Sequence, residues 1–247
     1  GRGEHLKVAK YLVEAGADVN SVDWYGQSPL WAAIDVRNLI YERVGTNENH
    51  VDRPEAFELI NQLLEAGADP DVRVKEFPPS RHFILGIGSV EWVDITGQTP
   101  FLRAALAGDV SVMRLLLDFG ADPNISTYGG TTPLMVAAGI DWAAGQTFDE
   151  GPDALLEAVK LTHELGNDIN AVNDLGLQAV HGAANRGSND IIEYLAANGA
   201  RLDKPDNEGR TPIRWAEGEY LPSRPLIYRP ETIALIKSLQ QKYSGSE

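Results

Sequence analysis

Residues 199–213 read GARLDKPDNEGRTPI, and this stretch decides the fold because both of its halves recur along the chain. The first half recurs as GADVN, GADPD, GADPN and GNDIN at residues 16–20, 67–71, 120–124 and 166–170. The second half recurs as GQSPL, GQTPF, GTTPL and GLQAV at residues 26–30, 97–101, 130–134 and 176–180. The leading glycine of the first half is typical of a helix end. The Ser/Thr-Pro pair of the second half is typical of a helix start.

The spacing of these motifs defines a repeat of 33 residues with insertions. Pro100 and Pro133 are 33 positions apart, and so are Ala179 and Pro212. The glycines that open the first half are spaced by 51, 53, 46 and 33 residues, so three of these intervals contain extra residues. Self-similarity at a fixed period of roughly 20–50 residues indicates a repeat architecture in which neighbouring units stack.

The chain resembles the ankyrin-repeat family, whose repeat of about 33 residues combines a turn with two helices and carries Thr-Pro-Leu at the first helix start. The resemblance covers nearly all of the chain. It implies an all-α ankyrin-repeat solenoid of helix-turn-helix units with β-turn fingers. We expect a single domain over residues 1–247, with one half and five full repeats. The half repeat is expected at residues 1–20, and the full repeats at 21–71, 72–124, 125–170, 171–203 and 204–247, the last with a C-terminal cap.

Long insertions interrupt this pattern. Repeats 1, 3 and 5 have extra residues between their two helices. Repeat 2 has a long finger, in which residues 72–74 and 83–85 are expected to be short strands of a hairpin. Because equivalent positions of a solenoid line up, we expect the insertions of repeats 1, 3 and 5 along one edge. The finger is expected at the opposite edge, with the concave face of the inner helices in between.

Composition and charge exclude several classes of partner. The chain has 21 basic and 36 acidic residues, a net charge of −15, which repels nucleic-acid phosphates and anionic lipid surfaces. No apolar run approaches the ~18 residues of a membrane-spanning helix, so we expect no membrane insertion. Cysteine is absent, which excludes disulfides and is compatible with either an exported or a cytoplasmic protein. We expect a monomer and, because the first unit is half a repeat, a longer natural protein.

The polar residues indicate no catalytic or metal site. The five histidines lack metal-ligand spacing, and no nucleophile elbow, phosphate loop or dinucleotide fingerprint occurs, so we expect no catalytic residue, metal or cofactor. His181 stands at the histidine position of the family's repeat, which implies that its ring hydrogen-bonds turn backbone. His50 and His82 lie in insertions and are free for function. The Gln178-Ala179 pair replaces Ser/Thr-Pro, so a weaker helix start is expected there.

Acidic residues are assigned to solvent and to turns. Four carboxylates of the third insertion lack the spacing of a calcium loop and are interpreted as a solvated acidic loop: Asp141, Asp149, Glu150 and Asp153. The residues that open the repeated turns are interpreted as acceptors of local backbone hydrogen bonds: Asp23, Asp94, Asn173 and Asp206.

Aromatic and arginine residues are the candidates for partner binding, because Trp, Tyr and Arg are enriched at interface anchors. At the tips of the finger turns these candidates are Trp24, Tyr25 and Tyr128. On the outward positions of the inner helices they are Trp31, Arg103, Arg186, Arg214 and Trp215. In the insertions they are Phe77, Arg81, Phe83 and Trp142.

The resemblance implies a non-catalytic module that binds a protein or peptide partner on the concave face formed by finger turns and inner helices. The charge of −15 favours a partner with basic surface. Two alternatives stay open. In one, the insertions form a pocket for a small ligand or an enzymatic activity, with His50 or His82 among its polar groups. In the other, the chain is the interaction part of a larger enzyme.

Overall fold

The helices alternate along the chain as the repeated motifs predict. The computed structural model describes residues 2–38, 52–76, 93–142, 149–218 and 227–244. These ranges contain eleven helices and no β-strand, so the all-α solenoid is confirmed. In chain order the helices are α1 (Arg2–Glu14), α2 (Pro29–Arg37), α3 (Arg53–Glu65), α4 (Pro100–Ala107), α5 (Val110–Asp118), α6 (Pro133–Ala138), α7 (Pro152–Glu164), α8 (Ala179–Arg186), α9 (Asn189–Ala197), α10 (Pro212–Glu217) and α11 (Pro230–Ser244).

The even-numbered helices are the inner helices of the repeats and the odd-numbered ones are the outer helices. Each inner helix packs against the outer helix that follows it and against the next inner helix, and each outer helix packs against the next outer helix. The main core lies between the two rows, with fully buried residues such as Ile60 in α3, Phe101 in α4 and Leu134 in α6. Nearest-neighbour stacking therefore stabilises the chain.

Three of the four Ser/Thr-Pro pairs cap their inner helices as predicted, whereas the Thr211 side chain makes no capping hydrogen bond to α10. The hydroxyl oxygens of Ser28, Thr99 and Thr132 each accept the backbone N–H of the residue three positions later, at 3.1, 3.2 and 3.3 Å. The prolines that follow occupy the first helical position, where the absent N–H has no helical partner to lose.

His181 supplies the helix start that repeat 4 lacks. Its Nδ1 accepts the backbone N–H of Gln178 at 3.0 Å, so Nε2 carries the proton and donates to the Lys204 carbonyl, also at 3.0 Å. The ring is fully buried, and burial lowers the pKa of the imidazole. The turn-binding role implied by the resemblance is therefore confirmed, and it compensates for the missing Ser/Thr-Pro pair.

The His181→Ala variant is expected to lose about 2–4 kcal/mol of unfolding free energy, because two hydrogen bonds vanish and a cavity opens. Since the pKa is lowered in the folded state, the neutral ring stabilises the fold, and this stabilisation declines as pH falls below about 6.5. Urea unfolding at pH 7.5 and pH 5 measures both effects, with the exposed His5→Ala as control. Equal stability of His181→Ala and wild type would contradict this role.

An ion network lies at the turns that join inner to outer helices. The Asp109 carboxylate accepts a hydrogen bond from Arg37 Nε at 2.7 Å, and Arg53 lies 3.6 Å from it. Arg53 also pairs with Glu150. These residues flank the first and third insertions, and Arg229, which follows the fifth, donates to a carbonyl at the α8 end. The flanks thus lie at the predicted edge, and the placement of the inserted residues outside the described ranges stays a prediction.

Candidate interaction surface

The finger turns are built by polar side chains that hold their own backbone. Asp23 Oδ1 accepts the N–H groups of residues 25 and 27, and Asn173 Oδ1 accepts those of residues 175 and 177. Asp94 and Asp206 make the same kind of contact within their turns. The prediction that these residues serve local turn hydrogen bonding is confirmed, so they need no catalytic explanation.

Backbone hydrogen bonds join each finger turn after the first to the next one. Tyr128 N–H donates to the Thr96 carbonyl, Asp174 N–H to that of Gly129, and Asn207 N–H to that of Leu175, at 2.9–3.1 Å. Such close approach requires glycine at residue 176, where an added Cβ would lie 2.6 Å from the Asn207 nitrogen. The turn tips therefore form one continuous ridge with a fixed spacing.

Repeat 2 inserts an extra segment into this ridge. Lys75 N–H donates to the Tyr25 carbonyl at 2.7 Å, and Val74 exchanges hydrogen bonds with Gly97 and Gln98. Residues 74–76 thus stand between the first turn and residues 94–98. No strand is assigned at residues 72–74, where one was predicted, because only these two bonds join the sides of the finger base. The predicted strand at 83–85 lies outside the described residues.

Large apolar side chains project from the ridge. Trp24 is 84% exposed and Tyr128 is 56% exposed, in the same position of their turns, whereas Tyr25 is half-buried. Three further exposed apolar residues of these turns, Val22, Val172 and Leu175, were not predicted from the sequence, although the repeat pattern places them in the turns. We call the exposed set the finger row: Val22, Trp24, Tyr128, Val172 and Leu175.

Tyr128 is held in place by an arginine. The guanidinium carbon of Arg73 lies 4.2 Å from the Tyr128 ring centroid. Arg73 also donates to the Ser126 carbonyl at 2.6 Å and to the Gly97 carbonyl at 3.2 Å. Because one ring face rests on a fixed cation, the other face is presented to solvent without loss of side-chain order.

Trp31 does not face outward, and this prediction is wrong. The side chain has no exposed area and packs against Val74, Ile95 and Val93 in a cluster separate from the main core. The physical reason is the long finger of repeat 2, whose base lies over the concave side of α2 and covers the position.

A second separate cluster covers the inner helices of repeats 2 and 3. Leu102 and Leu106 of α4 pack with Val136 of α6, and the half-buried Trp142 lies against them. These residues come from inner helices and a loop, without any outer helix, so they lie on the concave side. Trp142 therefore folds back onto the solenoid instead of pointing to a partner, and the concave face is covered here.

Arg103 and Arg186 are buried and link neighbouring inner helices, so their prediction as outward residues is wrong. Arg103 Nε donates to Asp35 at 2.6 Å and Nη2 donates to the Asn38 carbonyl at 2.7 Å, linking α4 to α2. Arg186 reaches the Leu106 and Ala137 carbonyls at 3.2 and 3.4 Å. Burial lowers the pKa of Arg186 to about 10. Both cations meet carbonyls at the ends of inner helices, where helix dipoles favour positive charge.

Trp215 is likewise buried, and Arg214 stays at the surface. The Trp215 indole N–H donates to Asp206 Oδ2 at 3.0 Å, and the Arg210 guanidinium lies 5.0 Å from its ring. Trp215 thus fixes α10 to its own finger turn, which overturns its assignment as an outward residue. Arg214 is exposed and pairs with Glu217 at 3.1 Å.

One residue of the predicted acidic loop is buried. Asp141 is 3% exposed, and its Oδ1 accepts the backbone N–H of Asp94 at 3.1 Å. Burial, together with the Asp94 carboxylate, raises the pKa of Asp141 to about 8, although the Asp94 N–H acts against this. The solvated-loop interpretation is therefore wrong for Asp141. The contact also joins the finger base of repeat 2 to the start of the third insertion, so these two segments do not lie at opposite edges of the concave face as predicted.

Several predictions concern residues outside the described ranges. Phe77, Arg81 and Phe83 lie there, and so do His50 and His82. Within the described ranges, no group of three or more His, Cys, Asp or Glu residues has an arrangement that holds a metal ion. None of the helices in the same ranges has the length and apolar character needed to cross a membrane.

A groove of about 550 Å³ opens at the N-terminal end of the solenoid. Its lining comes from α1, α2, α3 and the first turn and is mainly apolar, with residues such as Leu12, Val36 and Leu63. The small-ligand alternative placed a pocket among the insertions with convergent polar groups. The long finger and the third and fifth insertions do not line this groove, so it does not support that alternative.

Comparisons with known proteins agree with the repeat pattern. A family model described as ankyrin repeats in three copies matches residues 49–144 and 151–221, and a single ankyrin-repeat model matches residues 2–24. Neurogenic locus notch homolog protein 1 of Cricetulus griseus is 30% identical over 153 residues, 62% of this chain and 5% of that protein. Ankyrin repeat domain-containing protein 63 of Homo sapiens is 33% identical over 125 residues, 49% of this chain and 30% of that protein. The chain thus matches a minor part of each relative's length.

Proposed function

Because the chain belongs to the ankyrin-repeat family, whose stacked repeats provide extended binding surfaces, we propose that it is a non-catalytic module that binds a protein or peptide partner. The proposed contact surface is the finger row. The inner-helix face of repeats 1–3, which the sequence also favoured, is excluded from the proposal because Trp31, Leu106 and Val136 are covered there.

The observation that carries the proposal is the exposure of Trp24 and Tyr128 on a rigid ridge. Neither aromatic side chain is needed to bury a core, since Trp24 is 84% exposed and Tyr128 is 56% exposed. Aromatic residues held in place lose little conformational entropy on binding, so they are effective anchors. The hydrogen bonds between turns keep the backbone beneath them fixed.

The partner is proposed to be basic. Exposed carboxylates accompany the finger row, with Asp23 beside Trp24, Asp174 beside Leu175 and Glu208 in the last turn. They add to a net charge of −15 for the chain. Charge complementarity would speed association and favour positively charged segments, and it weakens as ionic strength rises.

The Trp24→Ala/Tyr128→Ala variant tests the finger row. Peptides selected from a random display library on the wild-type protein are expected to bind this variant at least about tenfold more weakly, because two interface anchors are lost. The selected peptides should be enriched in Lys and Arg, and their affinity should fall with added salt. Fluorescence anisotropy measures the dissociation constants.

The matched control removes two exposed tyrosines from the outer helices, Tyr11→Ala/Tyr243→Ala, and should bind like wild type. Thermal unfolding should place all three proteins within about 1 kcal/mol of one another, which allows for the loss of the contact between Arg73 and the Tyr128 ring. If the selected peptides bind the Trp24→Ala/Tyr128→Ala variant as tightly as wild type, the finger row is not the contact surface.

A further inference from the structure

Two segments of the chain close over the concave side of the inner helices, and they meet at a single described contact. The base of the long finger carries Val93 and Ile95 over Trp31. The start of the third insertion carries Trp142 over Leu102, Leu106 and Val136. The two segments are joined where Asp94 N–H donates to Asp141 Oδ1 at 3.1 Å.

Buried polar atoms without a hydrogen-bond partner lie close to this contact. Asp141 Oδ2, Trp142 Nε1 and Arg186 Nε are all buried and have no hydrogen-bond partner within the described ranges. Asp141 has a φ of 67°, a left-handed conformation that residues other than glycine adopt at some energetic cost. Each unsatisfied buried polar atom destabilises the closed arrangement, and an open one would solvate all three.

The ion network at Asp109 provides the contrast. There the buried carboxylate receives hydrogen bonds from Arg37, Asn38 and Ser111, so both oxygens are satisfied. A buried carboxylate with a purely structural role can thus have hydrogen bonds to both of its oxygens in this chain. The Asp94–Asp141 contact instead brings a buried carboxyl close to a second acidic residue, which opposes its ionisation.

We propose that the Asp94–Asp141 contact is a releasable clasp, and that its opening uncovers the apolar inner-helix surface of Leu102, Leu106 and Val136. The clasp is closed while Asp141 carries a proton and opens when Asp141 ionises. Neither Trp24 nor Tyr128 takes part in the contact itself, although Asp94 holds the turn whose Thr96 carbonyl accepts the Tyr128 N–H.

The trigger follows from the groups that surround Asp141. Asp94 on the finger base contacts Asp141 directly, and the Arg186 guanidinium of α8, on which the Asp149 charge acts, lies 5.1 Å from the ring of the adjacent Trp142. Arg103 on α4 is also buried. Among these, Asp94 acts on Asp141, while Arg103 is bound to Asp35 and Arg186 to helix-end carbonyls. Burial and Asp94 raise the pKa of Asp141 to about 8, so its ionisation falls near neutral pH.

The sign of the pH effect is fixed by this shift. In the open state Asp141 has its ordinary pKa near 4, so between about pH 4 and about pH 8 the closed state binds one more proton. The equilibrium constant for opening should therefore rise about tenfold for each pH unit in that window and level off above it.

Thiol labelling tests the clasp cleanly because the chain contains no cysteine. The Val136→Cys variant places a reporter under the clasp, Tyr11→Cys gives the labelling rate of an exposed thiol, and Val112→Cys reports on the main core. Normalised to the exposed thiol, labelling at position 136 is expected to rise about tenfold per pH unit from pH 6 to pH 8. Addition of Asp141→Asn should abolish that rise, because asparagine keeps the acceptor and tolerates the left-handed backbone without ionising.

Three outcomes would overturn the clasp. Position 136 would remain unlabelled relative to the exposed thiol at every pH. Positions 136 and 112 would label in parallel, which would mean global unfolding. Alternatively, the pH dependence would persist with Asp141→Asn. Hydrogen exchange of the Asp94 amide gives an independent readout, with opening expected to follow the same pH dependence in the wild type.

Discussion

Replacing Asp109 with alanine is expected to lower the free energy of unfolding by about 3–5 kcal/mol, the range for loss of one partner of a buried ion pair. Asp109 is 1% exposed, and its Oδ2 binds Arg37 Nε at 2.7 Å and Asn38 Nδ2 at 3.2 Å. The substitution leaves the Arg37 cation buried without its carboxylate. It also removes the acceptor that caps α5, where Oδ1 receives the Val112 N–H at 3.4 Å.

The pH dependence of this effect has a defined sign. Burial by itself would raise the pKa of Asp109, but hydrogen bonds from Arg37, Ser111 and Asn38 and the Arg37 charge outweigh burial and lower it. The stabilisation by the carboxylate is therefore complete above about pH 4 and is lost as pH falls through the lowered pKa. Urea unfolding at pH 7 and pH 3 should show the difference between wild type and variant shrinking in acid.

The control for Asp109→Ala is an ion pair on the surface. Arg114 and Glu157 lie 3.1 Å apart with both side chains more than half exposed. Glu157→Ala should change stability by less than about 1 kcal/mol, because exposed pairs are screened by water and salt. If Asp109→Ala is no more destabilising than Glu157→Ala, the network does not hold the inter-helix turns together.

The local features of the fold were predictable because each is encoded within a few residues. Ser28 and Thr99 cap the helices that begin one residue later, and Asp23 holds the turn that it opens. His181 was also predictable in its role, since its ring binds backbone in its own turn region. Such contacts recur with the repeat, so the period alone locates them.

The burial of side chains on the concave side was not predictable, because it depends on contacts with segments that are distant in the sequence. Trp31 is covered by residues 74 and 95, and Arg186 contacts a carbonyl 80 positions away at Leu106. These contacts depend on where the insertions fold, which the repeat period does not contain. The same applies to Asp141, whose position in an acidic stretch resembled a solvated loop although the side chain is 3% exposed. The exposure of Trp24 was predictable because a turn tip has no neighbour to cover it.

The Trp31→Ala variant is expected to lose about 3–5 kcal/mol of unfolding free energy, the range for large buried aromatic side chains. Trp31 has no exposed area, and it is the inner-helix residue on which Val74 and Ile95 rest. Its removal should also loosen the finger base, so the Val74 and Gly97 amides, which donate to Gln98 and Val74 carbonyls, should exchange faster with solvent.

Two tryptophan variants distinguish this cavity effect from a general effect of losing tryptophan. Trp24→Ala removes the same side chain from a position that is 84% exposed, and should shift stability by no more than about 0.5 kcal/mol. Trp31→Phe should fall between wild type and Trp31→Ala, because the indole Nε1 has no hydrogen-bond partner among the described residues and only packing is lost. Urea unfolding followed by circular dichroism gives the free energies, and amide exchange gives the local effect. Unchanged exchange at Val74 and Gly97 in Trp31→Ala would mean that the finger base is held by contacts other than Trp31.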